Sequence, residues 1–587
     1  MTDTNRTEQR MRTDSLQRRS PRRCKPQILL SSLTVATLLT TGCRHLDSQG
    51  GPAASKISQT PATNTYSVDH DVVKTAPWFV GDFDAATQAA KTSRKPIFLY
   101  WGAVWCPPCN EVKGEVFTQD SFKSLMESAI PIYLDGDSEN AQILAERLGV
   151  SGYPTMVVLS PDGAELYRAG ADLDIHETID ALTAVIQTGD SVVQVIKRAQ
   201  RGDATPSDWK QIAGISWQQI DFAKVPGWNS EEILRIQLQL INLAPRREIA
   251  ARARLISEVL RGATALATAS PPPSPGSLRI AKTVRMLAPD LLTSIFADPA
   301  TTRASRNLIN NDADATLAFV FGREPSETRT KFVDEWLAAA DRIANDATLS
   351  VDTRLWAEFP PVDLALAGTK EFSRIPEPVR TDIRAAVQVA DARAKTKYQR
   401  HAVISGAGYM LQKIGDFDAA RELLTREAAQ TDTPWYYYSS LATLEREAGR
   451  DSDALAWASK ARESVQGRAS RLQWIVNDLN MSAKVDEFAN QSVAGNETEN
   501  TAVATESKSE RIARVLNEYY TTAMSLPDGF SGRNSVRAKA VVREVAPMLA
   551  TNAALRETVT KFSSDCARLA SDESKACREH FRAMLGK

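Results

Sequence analysis

Two cysteines separated by two prolines carry the clearest chemistry in this chain. Cys106-Pro107-Pro108-Cys109 follows an apolar run at 96–101 and Trp105, and leads into Asn110-Glu111-Val112-Lys113. Two thiols at that spacing, between a strand and a helix start, form a redox pair. The unpaired N–H groups and positive dipole end of the helix favour a thiolate over a thiol. Cys106 is the expected nucleophile, and Cys109, one turn later, the resolving thiol. A structural disulfide or half of a zinc site would use the same residues. Zinc needs further ligands, and His45, His70, His176, His401 and His580 are scattered, with no second Cys-x-x-Cys. No metal or cofactor is expected. Pro107 and Pro108 suit a first helical turn, where their missing N–H groups cost little, but they remove two donors that could stabilise a thiolate. With no histidine between the thiols either, the expected potential is reducing to intermediate.

The surrounding stretch must hold this pair, and its pattern alternates between helix and strand over 76–190. A helix is expected at 82–92, a buried strand at 96–101 and an amphipathic helix at 110–128, whose apolar set is Val112, Val116, Phe117, Phe122 and Leu125. A strand at 130–134, a helix at 138–148 and a strand at 155–159 follow. The turn Pro161-Asp162-Gly163 then makes a hairpin to 164–167, and a helix at 174–186 closes the unit.

This order resembles the thioredoxin fold, most closely exported domains such as the C-terminal domain of the membrane thiol-disulfide interchange protein. Two motifs carry the resemblance: Trp105-Cys106-Pro107-Pro108-Cys109 and Ser151-Gly152-Tyr153-Pro154-Thr155. It implies an α/β domain with a central mixed sheet flanked by helices. It also implies a cis Pro154 beside the Cys106–Cys109 pair, and Trp105, Tyr153 and Pro154 as the edge that binds a substrate chain. Protein thiols or disulfides are then the implied substrates, with a further, unidentified redox partner. Two family features are missing. The buried acid six residues before the first cysteine is replaced by Tyr100, and the acid before the motif tryptophan by Val104. A phenol is a poor base at neutral pH, so attack by Cys109 is expected to be slow or to use water or another acid. Glu111 and Glu115 lie nearby in sequence, and Lys113 reads as a solvated helix residue.

At 587 residues the chain exceeds one compact domain. Its net charge of −1 hides a basic start: residues 1–43 carry +5, which leaves −6 for the rest and no electrostatic reason to expect nucleic acid. Basic residues through Lys25 precede an apolar run at 28–39, the length of a secretory h-region rather than of a membrane span. The run ends in Leu39-Thr40-Thr41-Gly42-Cys43, which resembles a bacterial lipoprotein cleavage box with the leucine one position early. Lipidation of Cys43 fits best; ordinary signal cleavage and an uncleaved anchor are the alternatives. The expected location is the periplasmic side of a bacterial envelope, tethered to the outer membrane. Residues 44–75, rich in Ser, Gly, Pro, Ala and Thr, read as a flexible linker. Without the leader the chain keeps two cysteine pairs and no odd thiol, a pattern that suits an oxidising compartment.

Beyond residue 190 the strand pattern fades. Residues 191–400 read as helical, with Trp209, Trp217 and Trp228 as core anchors and Asn229 as a helix cap. Within 401–468, Gly415 and Gly449 stand 34 residues apart, and Gly408 and Ala420 match Ala442 and Ala454. That is the tetratricopeptide period, so the segment resembles two such repeats in a solenoid-like region. The aromatic run Trp435-Tyr436-Tyr437-Tyr438 falls on a helix there and is expected mainly in the core. Residues 469–510 end a helix and become a polar linker; 511–587 are helical again. Cys566 and Cys577 read as a disulfide staple between helices.

The expected function is an exported thiol-disulfide oxidoreductase with a helical partner-binding region. The alternative is a lipoprotein scaffold or adaptor whose thioredoxin-like domain turns over little.

Overall fold

The computed structural model describes residues 76–150, 152–170, 173–220, 225–270, 273–485 and 507–586. The leader with Cys43, the linker at 44–75, Ser151 and most of the polar stretch before residue 507 lie outside the described residues.

The first described unit is built on a four-stranded sheet in the order β2-β1-β3-β4, with β1 Ile97–Gly102, β2 Ile130–Asp135, β3 Thr155–Leu159 and β4 Glu165–Ala169. β1 runs parallel to β2 and antiparallel to β3, and β3 and β4 form the expected antiparallel hairpin. β1 is buried throughout because helices cover both faces of the sheet. Ile97, Leu99 and Trp101 point to one side, onto α1 (Phe83–Ser93) and α4 (Glu139–Arg147). Phe98 and Tyr100 point to the other, onto α2 (Pro107–Glu115) and α3 (Asp120–Met126). Asp82, Ser138 and Asp174 cap their helices, accepting backbone N–H groups that open α1, α4 and α5 (Ile175–Thr188).

One expectation is corrected. The stretch 110–128 is two helices, broken between Glu115 and Asp120. The break lets Phe117 and Phe122 stack at 4.8 Å and meet Trp78 in the core. A continuous helix could not aim both rings there.

All described regular structure beyond β4 is helical. The sheet's core continues without a gap into the helices that follow, joining Phe98 to Ile196, Trp209 and Trp336 in one cluster. Two further cores span 355–444 and 472–584. Around the two glycines stand paired helices, Lys397–Lys413 with Phe417–Ala428 and Pro434–Glu447 with Asp451–Ser464. Gly415 and Gly449, at φ of +79° and +75°, make the turn within each pair, a left-handed conformation that glycine adopts without strain. A Cβ on Gly408 would come within 2.7 Å of Leu424, so that position needs the smallest residue for the helices to pack. No described helix is long and apolar enough to cross a membrane.

Candidate active site

Cys106 is the N-cap of α2, with Pro107 and Pro108 filling the first helical positions. Its Sγ accepts the Cys109 backbone N–H at 3.3 Å, so the first sulfur sits where a helix would hold a negative charge. The two cysteines are disulfide-bonded, with Cα atoms 5.2 Å apart. Asn110 fixes the loop from below: its Nδ2 donates to Val104 O at 2.8 Å and to Cys106 O at 2.9 Å. The phenol of Tyr100, fully buried, donates to Cys109 O at 3.3 Å.

Strand register brings the second motif alongside. Thr155 of β3 pairs with Trp101 of β1, so Pro154 meets the end of β1 that leads to the cysteines. The Tyr153–Pro154 peptide bond is cis. Tyr153 packs on the same apolar cluster as both cysteines. Its hydroxyl donates to Gly136 O at 2.9 Å and accepts from Gln142 Nε2 at 2.6 Å. Burial raises its phenol above the ordinary value.

The site is not open to solvent. Cys106 is 4% exposed and Cys109 0%. Their cover comes from the far half of the chain. Trp105 stacks on Tyr436, with ring centres 6.0 Å apart, and meets Trp474 edge-on at 5.9 Å. Trp105 Nε1 donates to Asp137 Oδ2 at 2.9 Å and to Ser470 Oγ at 3.3 Å, and Ser470 Oγ donates to Asp137 Oδ1. Burial raises the Asp137 carboxyl, against which those hydrogen bonds work. Arg533 donates to the Tyr153 hydroxyl and lies over its ring at 4.7 Å.

α2 is clamped on its other side. The Lys397–Lys413 helix lies against it so closely that a Cβ on Gly114 would be 3.1 Å from Tyr398 Cβ. Lys113 is 1% exposed and lies 5.6 Å from the Tyr398 ring centre, so its expected solvation is corrected: a helix against α2 takes the place of water. Glu111 bonds Ser350, and burial raises its carboxyl, with Glu115 adding to the rise. Across from it, burial and then the Glu111 charge push Asp352 well above the ordinary carboxylate range. A small cavity, lined by Glu111, Glu115, Ser350 and Asp352 among others, lies where α2, residues 350–352 and the Lys397–Lys413 helix meet.

Of the residues singled out by sequence, Trp105, Cys106, Cys109, Tyr153 and Pro154 come together. Cys566 and Cys577 are bonded to each other within the C-terminal helical core. Cys43 lies outside the described residues. Asp137, Tyr436, Ser470, Trp474 and Arg533 were not anticipated; the run 435–438 was the only signal, and its local pattern fits core packing equally well. Among the described residues no group of three or more His, Cys, Asp or Glu side chains could hold a metal ion.

A mixed sheet, a dithiol at a helix N-terminus and a cis-proline at the neighbouring strand define a thioredoxin-like domain. The family described as Thioredoxin-like matches residues 78–161. Over 70 residues the chain is 37% identical to Thioredoxin H4 of Arabidopsis thaliana, a stretch covering 12% of this chain and 56% of that protein. The general chemistry of such domains, exchange between thiols and disulfides, fits the Cys106–Cys109 pair.

Proposed function

We propose that the protein is an exported thiol-disulfide oxidoreductase acting on protein substrates. The observation that carries this is the Cys106–Cys109 disulfide at the N-terminus of α2, beside cis Pro154. In the reducing direction the Cys106 thiolate attacks a substrate disulfide, whose leaving sulfur takes up a proton. The mixed disulfide is broken when Cys109 attacks Cys106 Sγ, which releases the second substrate thiol and re-forms Cys106–Cys109. The substrate gains two electrons and the pair loses two; the reverse sequence oxidises a substrate dithiol. Trp105, Tyr153 and Pro154 form the edge that receives the substrate chain. A dithiol or disulfide partner resets the pair.

The leader sequence and Cys43 support lipid attachment on the periplasmic side of the outer membrane. The 34-residue glycine interval supports tetratricopeptide-like repeats at 401–468, with a role in binding partners. The adaptor alternative draws weight from the cover over the cysteines, which keeps them from solvent.

Equilibration in glutathione redox buffers tests the proposal. A reversible two-electron transition is expected with a midpoint between about −270 and −180 mV. A pair that stays oxidised under all such buffers would be structural, and the oxidoreductase assignment would fall.

A further inference from the structure

We infer that the helices at 434–484, together with Arg533, are a built-in occupant of the groove in which a substrate chain would lie, and that exchange at Cys106 requires their release. The inference rests on the oxidoreductase reading of the pair and adds its regulation. Two of the three residues of the expected substrate edge, Trp105 and Tyr153, are already engaged by side chains from the helical region. Trp105, next to the nucleophile, is stacked on Tyr436 and closed at its edge by Trp474. Its indole N–H is shared between Asp137 and Ser470. Tyr153, before the cis-proline, is held by Arg533 at both ring face and hydroxyl. Trp435, Ala461 and Val465 complete the apolar cluster over the sulfurs. An incoming disulfide must reach Cys106 Sγ in line with its own S–S bond, and with Cys106 only 4% exposed these side chains stand against that approach.

The same contact carries a built-in weakness. The indole nitrogens of Trp435 and Trp474 are buried, and among the described residues neither has a hydrogen-bond partner. A buried donor left without an acceptor disfavours the closed state, a cost that ends when water reaches it. The aromatic burial that closes the groove is therefore opposed within the cover itself. Tyr437, Leu441 and Leu444 of the Tyr436 helix belong to the core at 355–444, so what opens is the contact of Tyr436, Trp474 and Arg533 with the dithiol site, while each helix keeps its own core.

The test compares full-length wild type with Tyr436→Ala/Trp474→Ala and, at the rim, Arg533→Ala. Dithiothreitol is the probe: its two thiols become a cyclic disulfide while the Cys106–Cys109 bond is cleaved and the cysteines take up two electrons and two protons. Circular dichroism checks each fold, and Arg533→Ala serves alone where the double variant is unfolded. Reduction of the folded variants is expected to be at least about 10-fold faster than that of wild type, the ratio of open populations. Wild-type and variant rates within about 2-fold of each other would overturn the inference. Equal rates with a normal glutathione midpoint remove the cover and leave the oxidoreductase; no midpoint in wild type or variant removes the oxidoreductase itself.

Discussion

Trp105 and Tyr436 stack with 22° between their ring planes, although one belongs to the dithiol loop and the other to a helix in the second half of the chain. The dithiol end of the thioredoxin-like domain is thus an internal surface. Predictions about the pair must reckon with the helical region as well as with the cysteines.

Asp352 gives a pH prediction. Its carboxyl is raised by burial and by Glu111, which faces it and is itself bonded to Ser350 and influenced by Glu115 and Arg306; a hydrogen bond from Trp356 works the other way. A folded-state value above the unfolded one means that the folded protein holds the proton more tightly. The ionised group therefore costs stability, increasingly as pH rises from about 4 through the raised value. Asp352→Asn is expected to melt higher than wild type at pH 8, with the gap closing as pH falls. A variant that melts lower at pH 8 would contradict this.

Much of the redox domain was legible because local pattern and local chemistry agreed there. An all-apolar strand, proline at the first helical turn, and Asp82, Ser138 and Asp174 ahead of their helices each act within a few residues. The break between α2 and α3 was hidden because Phe117 and Phe122 fit a continuous amphipathic pattern, and only packing against Trp78 decides between the two. Lys113 and the aromatic cover were hidden for a different reason. A helix pattern reports which face is buried and is silent on what buries it. Tyr436 and Trp474 look the same whether they meet a neighbouring helix or Trp105.

Tyr100 tests the missing acid. Its phenol donates to a backbone carbonyl, an anchoring role rather than that of a base. Tyr100→Phe is expected to lower stability by about 1 kcal/mol and to change the exchange rate by less than about 2-fold. A loss of Cys109 attack with an altered pH profile would make Tyr100 part of the chemistry.

The Cys566–Cys577 disulfide closes an 11-residue loop within the C-terminal core. Replacing both by alanine is expected to cost about 2–3 kcal/mol, read by denaturant melting of that region. The Cys106–Cys109 midpoint should not move. A shifted midpoint would mean that the two disulfides communicate.

Cys43 is expected to carry lipid. Radiolabelled palmitate should enter the wild-type protein in bacterial cells and not the Cys43→Ala variant. Equal labelling, or labelling of neither, would replace the lipoprotein assignment with ordinary cleavage or an uncleaved anchor.

The most direct measurement is capture of the exchange intermediate. Full-length Cys109→Ala, alone and combined with Tyr436→Ala/Trp474→Ala, is incubated with a disulfide-bonded protein and analysed by mass after acid quench. A mixed disulfide at Cys106 should accumulate, faster in the combined variant, and Cys106→Ser should form none. No adduct in either Cys109→Ala protein would contradict the assignment of Cys106 as the nucleophile of a thiol-disulfide oxidoreductase.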